Sequence, residues 1–424
     1  MPTPIAVRYT RAVTDVLVSR AEDFDDIAAL LALAFHGDLD PDVQALERPI
    51  FEPDRSLLVR DGGTIVANAA AFSRELAVPG ANVPAAHVTM VAVAPTHRRR
   101  GLLTALMHRQ LRDVRDAGRE PIAVLWASEG RIYPRFGYGS AAPRYMLSVD
   151  TTGLRLPAPA PAEGRLRLDR PESRRDELAR LYEQARADRP GWSRRDERWW
   201  SYLLADLKAH RGGATERRVL LHEGPGGLDG YALYRTKDSS TATGPQAETQ
   251  VGEVVALTPE AYTALWRLLL SVDLTRRLSF PIAALDEPLL RLVDEPRQLS
   301  PHLADALWVR VVDVPAALAA RRYAADVDVV IEVTDELLKE NTGRWRLVGG
   351  PDGAECTPTT APAGLACDVR ALGELYLGGA NPYALAAAGR VRELLPDTLT
   401  ALTPAFTWYR APSPMEVFCP CSYT

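Results

Sequence analysis

The sequence predicts an α/β chain in which one order of elements occurs twice, followed by an α+β segment. Strand and helix signals alternate through the first 128 residues. The same order returns from Leu166. Near Ala306 the pattern changes to apolar strands, a glycine-rich stretch and a small helix. A chain of 424 residues exceeds one ordinary domain, so a division into several units is expected on length alone.

In VLVSRAEDFDDIAALLALAFHG a short strand precedes a helix whose apolar residues Ile27, Leu30, Leu31 and Ala34 share one face. SLLVRDGGTIVANAAAFSREL predicts a hairpin turning at Asp61-Gly62-Gly63. The strand HVTMVAVAP then leads into a helix that opens at RRRGLL and is closed by Gly118, and PIAVLWAS supplies another strand. In the second copy, LRLDRPESRRDELARLYEQARA gives strand and helix, and RVLLHEGPGGLDGYALYRTK gives a hairpin around Gly224 to Asp229. QVGEVVALTPEAYTALWRLLLSVDL repeats the strand and helix, with TPEAYTAL where the first copy has THRRRGLL. This predicts a degenerate duplication whose second copy keeps the fold and lacks the ligand site. The Pro/Ala-rich LRLPAPAPAEGRLRL links the copies as an extended segment. The third segment holds the strand DVDVVIEV, the glycine-rich LGELYLGG and a helix from Ala384 to Ala388.

RRRG places dense positive charge where a helix already carries about half a positive charge and unpaired N–H groups. That is favourable only with a strong anion present, such as a pyrophosphate; a basic surface turn is the alternative. Backbone N–H groups from Arg99 to Thr104 would cradle the phosphates. Gly101 would let the backbone approach them, since a Cβ there would crowd the anion.

Apolar content of 46% and charged content of 25% are ordinary for globular protein, and a net charge of −5 speaks against nucleic acid as a partner. No run of eighteen apolar residues predicts a membrane span, and MPTPIAVRYTRAVTD lacks a signal-peptide core. Cys356, Cys367, Cys419 and Cys421 show neither a disulfide framework nor CxxC zinc spacing, so no metal and a cytoplasmic location are expected. Asp23, Asp25, Asp26, Asp38, Asp40 and Asp42 flank the first helix and would line a cleft for a polycation or form a solvated acidic face. Trp192, Trp199 and Trp200 are expected to pack the second copy.

A strand feeding a helix through R-x-x-G-x-[G/A/L], here Arg98, Gly101 and Leu103, resembles the acetyl-CoA site of the GNAT acyltransferase superfamily. ASEGRIYPRFGYGSA, RPGWSRRDERWW, LWVRVVDVPAALAARRYA and LGELYLGG together resemble the Eis (enhanced intracellular survival) family of acetyltransferases, in order from about residue 14 to Phe418. The resemblance implies two tandem GNAT-type domains, each a mixed sheet with flanking helices, followed by a sterol-carrier-protein-like α+β domain. On this chain they fall at 14–150 (catalytic), 164–300 (degenerate) and 305–424. It further implies a homohexamer that moves an acetyl group from acetyl-CoA to amines, including positions on aminoglycosides. Acetyl-CoA contacts carry over to Val91, Ala92, Val93, Arg99, Arg100, Gly101, Leu102, Leu103, Thr104, Ser128 and Glu129. Tyr133 matches the general acid; as an aromatic beside Phe136 and Tyr138 it would otherwise only pack. The implied base is the carboxylate of the last residue. The family-like ending stops at Phe418, whereas CPCSYT follows here, so the base falls to Thr424 by role, with Glu416 as the substitute. Two other readings stay open from sequence: lysine acetylation on proteins or peptides, and a non-catalytic protein holding an apolar ligand in its third domain.

Overall fold

The computed structural model describes residues 15–157, 164–242 and 244–414. The first unit contains β1 (Leu17–Val18), α1 (Phe24–Phe35), α2 (Pro41–Glu47), β2 (Ser56–Asp61), β3 (Thr64–Val78), β4 (Ala81–Val93), α3 (Leu102–Ala117), β5 (Ile122–Trp126) and β6 (Gly139–Asp150). Helix α1 buries Ile27, Ala28, Leu30 and Leu31, the stripe expected of a helix lying on a sheet. The β2–β3 turn closes at Asp61↔Thr64, with Gly62 and Gly63 at φ 55° and 89°. Both central residues of such a two-residue turn need positive φ, which is why two glycines stand there. Gly118, at φ 64°, terminates α3.

The second unit repeats the order as β7 (Arg165–Asp169), α4 (Arg175–Arg186), α5 (Glu197–Leu204), β8 (Arg218–Gly224), β9 (Gly227–Lys237), the small ribbon β10 (Ser240–Thr241) and β11 (Gly244–Pro245), β12 (Ala247–Ala256), α6 (Pro259–Leu269), β13 (Thr275–Ala283), α7 (Leu289–Leu292) and β14 (His302–Val311). Both units share one twelve-stranded sheet, in the order β1-β2-β3-β4-β5-β14-β6-β13-β12-β9-β8-β7.

That order contains an exchange the sequence did not announce. β14, expected to open the third domain, lies between β5 and β6 and pairs Leu307↔Trp126 and Val309↔Val124. β6, the last strand of the first unit, pairs on its other side with β13 of the second, as in Leu278↔Val149. Residues 302–311 therefore belong to the large sheet, and the third unit begins after Val311. The reason is physical: Ala306 to Val311 are buried on both faces, so their apolar run fits any central strand and carries no information about its neighbours.

The third unit holds α8 (Val314–Ala319), β15 (Val327–Thr334), β16 (Gly343–Gly350), β17 (Gly353–Pro358), β18 (Leu365–Asp368), α9 (Val369–Leu375), α10 (Pro382–Ala387), β19 (Val391–Glu393) and α11 (Thr398–Phe406), with a sheet ordered β17-β16-β15-β18-β19. The glycine-rich LGELYLGG proves to be the end of α9 and the turn after it. A Cβ on Gly373 would lie 2.3 Å from the Val309 carbonyl oxygen, and one on Gly139 would lie 2.2 Å from that of Arg370. These glycines let α9 rest directly on β14 and β6. The resulting core joins Leu76, Val83 and Val124 of the first unit to Ile331, Leu372 and Phe406 of the third.

Candidate active site

The site begins with a flaw in β4. This strand stays antiparallel to β3 as far as Ala67↔Val93, but its parallel pairing with β5 covers only Ala85–His87. Just beyond, Met90 adopts φ 51° and the register with β3 shifts. A left-handed non-glycine residue costs about 1–2 kcal/mol, and buried polar contacts hold it there. Asn68 Nδ2 donates to the Met90 carbonyl at 2.9 Å, and Ser56 Oγ donates to Asn68 Oδ1 at 2.9 Å. The bulge turns β4 away from β5: Ala92 and Val93 pair with β3 alone, and Val91, in the bulge with Met90, lines a cleft. Asn68 has no motif around it, and sequence reading passed it over.

At the end of β4, Arg98, Arg99, Arg100 and Gly101 form an exposed loop, and α3 starts only at Leu102. Arg99 (φ 60°) and Gly101 (φ 82°) are left-handed, a geometry in which backbone N–H groups line an anion-binding concavity. His97 braces the loop through Asp61, Nε2 to Oδ2 at 2.9 Å. Gly101 offers no capping side chain, and the first intrahelical bond runs from Ala105 N to Gly101 O. The N–H groups of Leu102, Leu103 and Thr104 thus lack helical acceptors. The equivalent helix of the second unit is closed: Thr258 Oγ1 accepts from Ala261 N at 3.1 Å and donates to Asp229 at 3.0 Å, and Pro259 removes one N–H altogether. The first copy fits a bound pyrophosphate; the second caps itself. A Cβ on Gly101 would meet no protein atom within 4 Å, and the turn itself calls for glycine through its positive φ.

After β5 the chain passes Ser128 and Glu129, both exposed, into the turn Tyr133–Phe136. Tyr133 is buried, stands edge-on to Tyr138 with ring centroids 5.9 Å apart, and lines a cavity of about 1160 Å³ together with Met90, Val91, Ala127 and Ser128. Burial pushes its hydroxyl up to about 12. Arg310 of β14 fixes the turn from beneath: its Nε donates to the Phe136 carbonyl at 2.8 Å, and Nη2 contacts both Asp335 oxygens at 2.8 and 2.9 Å. Gly137, at φ 85°, leaves room for that guanidinium. Both charges are fully buried. Breaking such a pair from one side typically costs about 3–5 kcal/mol. Arg310→Met should lower stability to urea by about that amount and lower kcat more than acetyl-CoA affinity. A variant with wild-type kcat would show that Tyr133 needs no support from β14.

The cavity lies between the first two units, and its remaining walls show which of the expected residues face it. None of Asp23, Asp25, Asp26, Asp38, Asp40 and Asp42 lines it. Asp23 and Asp25 pair with Arg60 and Arg48, and Asp40 caps α2 and meets His210 at 2.8 Å. Trp199 packs in the first unit's core against Phe72 rather than in the second unit, while Trp200 packs in the second core as expected, edge-on to Tyr182, and borders the cavity from there. Trp192 stacks on Tyr182 in the second core, as expected. Glu253 lines the wall but is locked, meeting Arg195 at 2.7 and 3.1 Å and accepting from Tyr231 Oη at 2.5 Å. Thr424 and Glu416 lie outside the described residues.

Residues 17–141 and 191–311 each match a model of an acetyltransferase (GNAT) domain, and residues 314–414 match a sterol carrier protein domain. The chain is 44% identical over 402 residues to an uncharacterized N-acetyltransferase of Streptomyces avermitilis, covering 94% of this chain and 98% of that one. It is 39% identical over 398 residues to N-acetyltransferase Eis of Mycobacterium tuberculosis, covering 91% and 94%. Eis1 from Mycobacterium abscessus superposes with a TM-score of 0.81 at 32% identity, over 96% of this chain and all of that one. A GCN5-related N-acetyltransferase from Anabaena variabilis, at 20% identity and a TM-score of 0.82, shares the fold. With two GNAT domains, a sterol-carrier-like domain and these relatives along nearly its whole length, the chain belongs to the Eis family of N-acetyltransferases.

Proposed function

We propose that the enzyme transfers the acetyl group of acetyl-CoA directly to a primary amine of a small molecule, with Tyr133 as general acid and the terminal carboxylate of Thr424 as base. The observation that carries this reading is that Tyr133 and the bulged edge of β4 face one cavity, while Leu103, at the uncapped start of α3, packs on the same apolar cluster as Tyr133 and Val91. Val91 to Val93 would pair with the pantetheine arm. Arg99 to Thr104 would hold the pyrophosphate, and Ser128 and Glu129 would border the thioester. Tyr133 Oη gives its proton to the departing thiolate. A phenol pushed up to about 12 is a reluctant donor in water. It serves once bound substrate keeps water from the departing thiolate, because an unsolvated anion is the stronger base.

The base must orient an amine and accept its proton. Glu253 is disqualified by its bonds to Arg195 and Tyr231. The described chain reaches Pro414, beside Pro190, where Ser413 N donates to the Pro190 carbonyl at 2.9 Å. Ten further residues span up to about 33 Å when extended, the length by which the tail would bring a terminal carboxylate to the amine. Misplacing a catalytic group by about an ångström can cost on the order of 10²-fold. Truncation after Phe418 and extension by two glycines past Thr424 are therefore each expected to remove most activity. Activity retained by the truncated form would move the base to Phe418, and indifference to both would move it to Glu416.

Aminoglycosides, the polycationic acceptors that the resemblance implies, are the first amines to assay. Calorimetry with acetyl-CoA and amine-dependent CoA release test the reaction itself. A homohexamer and a cytoplasmic location complete the proposal, and light scattering on the purified protein tests the former.

A further inference from the structure

Among the cations that line the cavity, Arg144 on β6 is held in a different way from its neighbours. Arg195 has Glu253 at 2.7 Å and Arg235 has Asp206 at 2.9 Å, so each sits beside its counter-charge. Arg144 is half-buried and forms no ion pair among the described residues. Its Nη1 donates to the Pro281 carbonyl at 3.1 Å, and its Nε is buried with no hydrogen-bond partner among those residues. The guanidinium lies over the ring of Trp126, 4.6 Å from the centroid. The negative face of an indole attracts a cation and fixes its position. A ring has no net charge, however, so the guanidinium is placed without being neutralised. Burial lowers its pKa and the charge of Asp305 on β14 opposes that, but an arginine keeps its proton throughout the working range.

Strand pairing brings this charge to the Tyr133 side of the cavity. Trp126 closes β5, and Leu307 of β14 pairs both with it and with Ala142 of β6. Arg144 stands two residues beyond Ala142, on the same face of its strand. From Trp126 the chain runs directly into Ala127 and Ser128, which line the cavity with Tyr133. The ionisable groups on the elements around Arg144 are His302 and Asp305 on β14, Glu129 and Tyr133 after β5, and the Glu253–Arg195 pair on the second unit's wall. Asp305 is exposed and accepts from Trp308 Nε1 at 2.8 Å, and β13 contributes only the uncharged Ser279, Pro281 and Ile282 to the cavity.

An amine must be neutral to attack a thioester, whereas an alkyl ammonium in water keeps its proton to about pH 10. We propose that Arg144 holds the reacting amine of the acceptor in its neutral, nucleophilic form. A fixed guanidinium with no counter-charge disfavours a second cation beside it, so the ammonium gives its proton to solvent as it settles next to Tyr133. The other ammonium groups of a polycationic acceptor keep theirs. This rests on the acetyl transfer proposed above and lightens the task of the base there. The neutral nitrogen attacks the thioester carbon, the C–N bond forms and the C–S bond breaks, and Tyr133 protonates the thiolate. The base then takes only the proton shed by the nitrogen that has become an amide, an acidic proton that a carboxylate can accept.

Two measurements test this, the first without turnover. Binding of the polyamine kanamycin A to the full-length protein saturated with CoA is followed by calorimetry near neutral pH. Repeating it in buffers of different ionisation enthalpy counts the protons released. Wild type should release about half a proton or more beyond Arg144→Gln, and Arg144→Lys, which keeps the charge, should stay close to wild type. The second measurement is kcat against pH at saturating amine, which reports groups in the bound complex. In Arg144→Gln the acid limb should move up by about one pH unit. KM for the amine should stay level or fall, because a repulsion in the bound state is gone. Asp305→Asn keeps an oxygen for Trp308 and removes the opposing charge, so it should move the limb down by a fraction of a unit. A general loss of packing would not shift the two variants in opposite directions. No proton release by wild type, equal release by wild type and Arg144→Gln, an unmoved limb, or a lysine variant that behaves like the glutamine one would overturn the inference. Failure of amines to release CoA from acetyl-CoA counts against the proposed reaction instead, since the proton count needs no turnover.

Discussion

Tyr133→Phe is expected to lower kcat by about 10²- to 10⁴-fold while acetyl-CoA affinity changes by less than about threefold. The hydroxyl matters only as the thiolate departs, and the ring that remains keeps its edge-on contact with Tyr138. Burial sets the pH signature. With its pKa pushed up to about 12, the phenol keeps its proton through neutral and mildly alkaline solution. Any fall in kcat well below that value therefore belongs to another group, and the variant should show the same alkaline limb at a lower plateau. The check is a pH–rate profile of both proteins with one amine acceptor. Turnover within about threefold of wild type would reduce Tyr133 to a packing residue.

Gly101→Glu should weaken acetyl-CoA binding by at least about 10²-fold. Two effects combine. A side chain at φ 82° strains the turn by about 1–2 kcal/mol, and a carboxylate is set against the pyrophosphate. Two like charges 4 Å apart near a protein surface repel by roughly 4 kcal/mol at an effective dielectric constant of about 20. The fold should tolerate the change, because a Cβ there meets open space and a carboxylate at a helix N-terminus is itself favourable. Gly101→Ala separates the terms, since it carries the strain without the charge and should lose only about tenfold. Calorimetry with acetyl-CoA measures both variants, and thermal unfolding confirms that they fold. Unchanged affinity in the glutamate variant would move the pyrophosphate elsewhere.

The sequence by itself determined the local pieces. The α1 stripe, the Gly62-Gly63 turn, the Gly118 stop and the duplication follow from periodicity and backbone sterics, which act over a few residues. RRRG against TPEAYTAL likewise pointed to the copy whose helix start stays open, because capping is a local matter: Thr258 closes one helix and Gly101 leaves the other uncapped. What only the tertiary structure decided depends on distant partners. The exchange of β6 and β14 could not be read from LWVRVV, since an apolar strand buried on both faces fits any central position. The bulge at Met90 depends on Asn68, twenty-two residues away, and the seat of Tyr133 on a pair between Arg310 and Asp335. Which of the two readings of the aspartates holds could not be told from sequence for the same reason. Counting aspartates around α1 gives composition, while the field inside a cavity comes from the side chains that face it, and here those include Arg211 and Arg217 between α5 and β8 and Arg235 on β9. Hydrophobic and steric patterns are written along the chain; pairing and electrostatic sign are set only when segments far apart in sequence are brought face to face.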